Sequence, residues 1–421
     1  MKYYNIKSKH KLILSKNLME WFMKGNAIIG QFGGPTSVIN SSLCGLIQEG
    51  LKSRKIKNIL GMRDGVIGLM KDEIVDLGKE DHRVIETLRQ TPSSALGSCR
   101  YILKQEEFPL ILRQLKKYNI GYFFLIGGNG SMATIRQIEQ YCKKNNYQLS
   151  GIGIPKTVDN DLCGTDHAPG FASAARYVCL SVQQAGRLAR DMQSVDKYVI
   201  LQTVGRDTGW LAASAALAKK NESDAPHLIY IPERPLSRKR FISDVKECIK
   251  KYGWVSIVCG EGILWEDKSF VASLRAQDDF FDIEFGAMGG GSAALNLHQL
   301  IHQETNYRGE FQITESLSMC AIDRVSKVDL EEAYACGVKA IKLAEEGASG
   351  MMVSIHRVSS SPYKIELSTV SLDQVAVKIK PMDDKYINAE GNFVTDEYIK
   401  YIKPLIGKLP SYSELNFIKY Q

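Results

Sequence analysis

Two carboxylates, a lysine and a hydroxyl crowd into one short stretch of this chain, Pro155-Lys156-Thr157-Val158-Asp159-Asn160-Asp161. One carboxylate of such a set can accept a proton from an attacking hydroxyl. The other can hold Mg²⁺ directly or through water, and the lysine can neutralise charge on a group in transit. Phosphoryl transfer asks for these roles, because its catalysis is mostly positioning and electrostatics. Taken alone, the same residues would also suit an Asx-turn beside a surface lysine.

Three other loops carry compatible chemistry. Gly127-Gly128-Asn129-Gly130-Ser131 lies between an apolar run and a helical pattern. Glycines there let backbone N–H groups approach a phosphate, the helix start adds positive potential, and Asn129 could offer an amide oxygen to hydrated Mg²⁺. Gly33-Gly34-Pro35-Thr36-Ser37 makes a second backbone nest at a helix start. In Val204-Gly205-Arg206-Asp207-Thr208-Gly209-Trp210, Arg206 could grip a phosphate with two parallel hydrogen bonds. Each loop has a plainer reading in isolation: a tight turn, a helix cap, an Arg–Asp surface pair.

The surrounding pattern says what must position these loops. Short apolar runs at 26–32, 122–126, 152–154, 198–204, 227–231 and 255–259 alternate with helical patterns, among them one running through Leu51, Ile135–Lys144 and Leu211–Lys220. That alternation predicts an α/β protein with mostly parallel sheets and right-handed crossovers. In such sheets ligands bind at the carboxyl ends of strands, so the loops at 33–40, 127–131, 155–161 and 205–209 are expected to converge on one cleft. The segment after Gly350 is expected to wrap back over the second lobe.

Composition excludes several alternatives. The chain has 421 residues and a formal charge of +7. Residues 1–25 hold six lysines and one acid, so this arm is +5 and the remaining 396 residues carry only +2. A near-neutral body argues against a nucleic-acid binder, which shows a basic face; the arm reads as a solvated tail. No apolar run approaches the ~18–20 residues of a membrane span, and no clean signal-peptide core is present. The nine cysteines are scattered and odd in number with no CxxC pair, the pattern of reduced thiols in a cytoplasmic protein.

The loops occur together and in order, and in that arrangement the chain resembles the phosphofructokinase family, specifically its short pyrophosphate-dependent bacterial branch. The resemblance runs from Asn26 to the C-terminus through GQFGGPTSVIN, TPSSALGSCRY, IGGNGS, GIPKTVDNDLCGTDHAPGF, VGRDTGWLAA, APHLIYIPE, CGEGI, SKVDLEEAY and PMDDKYI. It implies a two-lobed fold with the active site between lobes: a donor lobe over about 26–195, a sugar-phosphate lobe over 196–350 and a C-terminal segment, 351–421, packed back on the body. It implies Mg²⁺-dependent transfer from pyrophosphate or ATP to the 1-hydroxyl of fructose 6-phosphate, a glycolytic step, in a homodimer or homotetramer. By the same resemblance Asp159 is the base, with Thr157 and Asp161 positioning substrate and metal. Lys156 holds pyrophosphate, Arg206 stabilises the moving phosphoryl group, and Gly33, Arg100, Gly128, Gly130 and Ser131 cradle the donor beside the metal-associated Asn129. Glu261, Val204 and Gly205 line the sugar, and Lys197 reaches a neighbouring subunit's sugar phosphate.

Two departures from that pattern stand out. The branch normally has Asp where this chain has Gly130, and that Asp excludes a nucleotide α-phosphate, so Lys156 points to pyrophosphate while Gly130 permits ATP. The family's Tyr-Leu-Gln-Arg run is Ser316-Leu317-Ser318-Met319 here. Replacing the 6-phosphate arginine by Met319 removes a charge-assisted hydrogen bond of ~1.5–3 kcal/mol, about a 10–150-fold weaker hold. A changed acceptor and a catalytically weak regulatory paralogue are therefore alternatives, although the latter would have no need of an intact Asp159 loop.

Overall fold

The computed structural model describes residues 25–272, 291–376 and 378–415; the basic arm before Gly25 and Gly289-Gly290 lie outside them. In chain order the strands are β1 (Gly25–Gln31), β2 (Ile56–Met62), β3 (Ile74–Asp76), β4 (Ile120–Gly127), β5 (Ser150–Pro155), β6 (Tyr198–Thr203), β7 (Leu228–Tyr230), β8 (Val255–Gly260), β9 (Gly309–Ile313), β10 (Met351–Ser360) and β11 (Tyr363–Ser371). Seven form one sheet in the order β11-β10-β5-β4-β1-β2-β3, and four form a second in the order β7-β8-β6-β9. Every pairing is parallel except β2 with β3 and β10 with β11, both at an edge of the first sheet.

The continuous apolar runs follow from helices covering both faces of each sheet. In β4, Tyr122, Phe124 and Ile126 enter one core while Phe123 and Leu125 enter the core on the opposite face. In β6, Val199 and Leu201 face one core and Tyr198 and Ile200 the other. Strand order reverses between β4 and β1 in the first sheet and beside β6 in the second, and such switch points open a crevice at the carboxyl ends. Among the described residues no helix is long and apolar enough to cross a membrane.

The described residues after Gly350 divide rather than draping one lobe. Strand β10 pairs with β5, Met351 opposite Ile152, and extends the first sheet. Its apolar Met352, Val353 and Ile355 are buried, whereas β11 alternates toward solvent and makes a tolerable edge. The helix Asp396–Ile406 instead buries Tyr398, Tyr401, Ile402 and Leu405 in the core shared with the helix Phe171–Asp191 and with Trp210. That long helix has no side-chain cap of its own. Asp329, far along the chain and fully buried, accepts from Gly170 N (2.9 Å), Ser173 N (2.9 Å) and Ser173 Oγ (2.5 Å) and supplies the cap. Burial raises the Asp329 carboxyl to about 6 despite these donors.

Asp329 is set in place by a helix crossing built on glycine. The helices Ile39–Gly50 and Lys327–Glu345 approach so closely that a Cβ on Gly45 would strike Tyr334 O, and one on Gly337 would strike Ser42 O. Both obstacles are backbone, which cannot swing aside. Gly337→Ala is therefore expected to destabilise the fold by about 1–3 kcal/mol through overpacking, despite alanine's better helix propensity. Urea unfolding measures this; a variant as stable as the parent refutes the tight crossing.

Candidate active site

The carboxyl end of β5 leads directly into the lysine–aspartate segment. Lys156 N donates to Gly127 O (3.1 Å), tying this loop to the end of β4, and Thr157 N donates to Pro169 O (3.2 Å), closing the loop's return limb. Asp159 N donates to Thr157 Oγ1 (3.1 Å). Asn160 takes a left-handed conformation (φ 55°), a turn that asparagine tolerates better than most residues. Its amide donates to the Tyr401 hydroxyl (3.0 Å) and its carbonyl accepts from Ala168 N (3.2 Å). The local hydroxyl and Asn turn chemistry legible in the sequence shapes the loop, and contacts from a distant helix lock it.

Two sheets deliver their loops to this point. Thr208 Oγ1 donates to Asp159 O (3.0 Å), joining the loop after β6 to that after β5. Gly205 adopts φ 124° and its N–H donates to Glu261 Oε1 (3.2 Å), while Glu261 N donates to Thr203 O (3.0 Å). A side chain at Gly205 would combine a strained backbone with a 2.9 Å approach to Thr208 O, so glycine is required. Val204 packs against the core behind it.

The electrostatics are those of a desolvated cluster. Lys156 is only 4% exposed; its Nζ donates to Gly34 O (2.7 Å) and would lie 3.2 Å from a Cβ on Gly33. Burial lowers its pKa to about 8, with Arg100 adding to the effect and Asp159 and Asp161 opposing it. Burial raises Asp159, helped by Asp161 and Glu261 and resisted by Arg206 and Lys156. Asp161 is likewise raised by burial, and Glu261 reaches about 7 for the same reason. Two buried acceptors here have no hydrogen-bond partner among the described residues: Asp159 Oδ1 and Asn129 Oδ1. Asn129 Nδ2 is engaged, donating to Asp161 Oδ2 (3.1 Å).

Asn129 begins the helix Asn129–Lys144, directly after Gly128, and Ser131 is buried in its first turn. Gly130 is exposed there, and a Cβ on it would meet no heavy atom within 4 Å. Gly33 sits at φ 73° with its N–H on Cys99 O (2.9 Å), next to Arg100. Across this nest, Met319 O accepts from Ser37 N (2.7 Å), and the Met319 methyl blocks the space that a Cβ on Gly34 would enter. Ser316 is exposed at the start of the short helix Leu317–Cys320. Met319 thus abuts the glycine nest that also carries Lys156.

Lys197 does not join the cluster. It precedes β6, at the opposite end from Gly205, and six strand residues separate the two by ~20 Å. Its Nζ donates to Gln193 O (2.6 Å). Conversely, the structure adds residues that no local pattern singles out. Half-buried Lys380 donates from Nζ to Asp166 O (2.9 Å) and Thr165 O (3.1 Å), and its backbone N–H donates to Asp161 O (2.8 Å). Its Nζ also lies 5.1 Å from the centre of the Trp210 ring, so it bridges the loops after β5 and β6. Its position one residue before the PMDDKYI segment was the available signal. At the end of β6, Gln202 Nε2 and Thr203 Oγ1 are buried with no hydrogen-bond partner among the described residues.

Residues 26–344 match the Phosphofructokinase family. The pyrophosphate--fructose 6-phosphate 1-phosphotransferase of Methylococcus capsulatus is 35% identical over 406 residues, covering 93% of this chain and 96% of the relative. A sulfofructose kinase of Alkalicoccus urumqiensis is 33% identical over 348 residues, 83% of this chain and 88% of the relative. The crystal structure of a pyrophosphate-dependent phosphofructokinase from Marinobacter aquaeolei aligns with a TM-score of 0.82 at 33% identity, covering 93% of this chain and 94% of that one. With this match over most of its length and relatives at 33–35% identity, the chain belongs to the phosphofructokinase family.

Proposed function

We propose that the protein transfers a phosphoryl group from pyrophosphate to the 1-hydroxyl of fructose 6-phosphate. The observation that carries this reading is the buried, unpartnered Asp159 Oδ1 in a cluster with Lys156, Arg206 and Glu261 at the carboxyl ends of both sheets. A carboxyl raised toward neutrality in a dry site suits a group that takes a proton from a sugar hydroxyl. Lys156, Arg206 and the N–H groups at the Asn129 helix start counter charge on the phosphoryl oxygens. The Lys156 ammonium, fixed on Gly34 O, supports pyrophosphate as donor.

Mg²⁺ fits the residues present. Among the described residues no three His, Cys, Asp or Glu side chains gather as a metal site. The unpartnered Asn129 Oδ1 beside the Asp161 carboxylate nevertheless supplies the few oxygen ligands this ion takes when phosphate and water provide the rest. Bound there, it would neutralise charge on the donor phosphates. Lys197, far from its own Glu261, suits a role in the sugar site of a second copy, and we assign a dimer or tetramer on that ground. The nine cysteines are all free, which agrees with a reducing cytoplasmic setting.

A second reading concerns the acceptor. Met319 packs on the glycine nest and contributes no cation, and a relative of comparable identity is a sulfofructose kinase. A ketohexose with a different group at C6 is the acceptor this favours.

Asp159→Asn should lower kcat about 10²–10⁴-fold while pyrophosphate binds as in the parent. Phosphorus NMR of turnover with Mg²⁺, paired with calorimetric binding, checks both; undiminished turnover removes Asp159 from the mechanism. Gly130→Asp should fold normally, since its Cβ enters open space, and should cut turnover with ATP at least about tenfold, with pyrophosphate turnover within about threefold of the parent. An unchanged ratio of ATP to pyrophosphate turnover would refute the assignment of this position to the donor.

A further inference from the structure

Behind the Asp159 loop lies a second charged cluster, built around His167. His167 has no exposed surface. Its Nδ1 lies 2.7 Å from Asp166 Oδ2 and its Nε2 lies 2.6 Å from Glu332 Oε2. A neutral imidazole has one nitrogen without a proton, and that nitrogen would face a carboxylate oxygen lone pair to lone pair. Between two ionised carboxylates, both contacts are hydrogen bonds only when the ring carries both protons. Arg357 closes the cage, donating to Asp166 Oδ2 from Nε (3.1 Å) and Nη2 (2.8 Å), and Tyr363 donates to Glu332 Oε1 (2.6 Å). Two cations and two anions then sum to zero. Although burial alone disfavours the charged ring, the two carboxylates hold it charged beyond neutral pH. Other ionisable groups around the cage include Asp329, Cys336, Lys380, Tyr386 and Tyr401.

A side-chain hydroxyl ties the cage to the reactive loop, alongside the bonds of Ala168 N to Asn160 Oδ1 and of Lys380 already described. Arg357 Nη1 donates to Tyr401 O (2.7 Å). The Tyr401 hydroxyl donates to Asp166 O (2.9 Å) and accepts from Asn160 Nδ2 (3.0 Å). Asn160 is the left-handed residue between Asp159 and Asp161. The return limb is also stitched to β10: Asp166 N donates to Ile355 O (2.9 Å) and Ile355 N to Thr165 Oγ1 (3.0 Å). A well-packed apolar cluster would fill the same volume at no lower stability. What the charged cage adds is a single allowed arrangement of these hydrogen bonds.

We propose that His167, held as an imidazolium between Asp166 and Glu332, is a positioning residue that acts through Tyr401 and Asn160 to fix Asp159 and Asp161 in their reactive orientation. The assignment rests on the reading that these aspartates act on substrate, so its test includes a measurement that needs no turnover.

Full-length Tyr401→Phe keeps the ring and every charge and removes only the linking hydroxyl. Hydrogen–deuterium exchange of the peptide spanning 156–166 should accelerate about tenfold, with peptides of β4 and β6 unchanged. kcat should fall about tenfold and both KM values should stay within about twofold. His167→Gln turns an amide oxygen toward one carboxylate and should loosen the same peptide more. His167→Gln with Glu332→Gln restores charge balance and a donor, and should recover most of the lost protection and turnover. Unchanged exchange at 156–166 in Tyr401→Phe overturns the proposal. So does a uniform rise across all peptides, which would mark a merely structural role, or a double variant no better than His167→Gln. If His167→Gln fails to fold, Tyr401→Phe still decides. If the parent turns over no substrate, the functional reading fails while the exchange result stands on its own.

Discussion

An ammonium and a carboxylate are withdrawn from water three residues apart at the end of β5, and much of the architecture serves to make that tolerable. Either ion alone would cost several kcal/mol to bury. Together Lys156 and Asp159 are compensated by Gly34 O, by Arg206 and by one another, while Asp161 and Glu261 push back. Burial pushes the lysine down and the acids up, toward neutral pH, where proton transfer is easiest. The same dryness makes each fixed dipole around the cleft count for more than it would at a surface.

Such a cluster demands rigid walls, and the two sheets supply them from different directions. The first sheet brings the Gly33 nest, the Asn129 helix start and the aspartate loop from three adjacent strands, β1, β4 and β5. The second brings Gly205, Arg206 and Glu261 from β6 and β8. Thr208 and Lys380 are the cross-links between the two sets. This division explains why no single loop was diagnostic. Each is half of a site whose other half is anchored to another sheet.

What could be read from the sequence was local. Lys156, Asp159 and Arg206 announce themselves because reactive types sit beside the glycines and turn formers that present them, and the strand-helix alternation gave the α/β architecture. What could not be read acts across long separations. Asp329 caps a helix that begins more than 150 residues earlier, Tyr401 braces Asn160, and Lys380 joins two loops. A buried aspartate at the start of a helix and a tyrosine on an apolar helix face look ordinary in one dimension. Met319 reads in one dimension as a lost cation, yet its packing on Gly34 depends on how a segment after β9 returns to the first sheet. Nothing in β10 marks β5 as its partner, so that pairing is not legible in one dimension.

That last pairing bears on how the molecule is made. Strand β5, which presents the reactive loop, has β4 on one side from early in synthesis, but its other neighbour begins at Met351. At ~5–20 residues per second the ribosome delivers that neighbour on the order of 10–40 s later. Until then a hydrophobic strand edge stands open, and the tyrosine and arginine that brace the aspartate loop are absent. The strand that presents the reactive loop therefore stays unpaired on one side until late in synthesis. A nascent or truncated product lacking β10 would expose a sticky edge before it could acquire a working site, which gives the cell's folding machinery something to recognise.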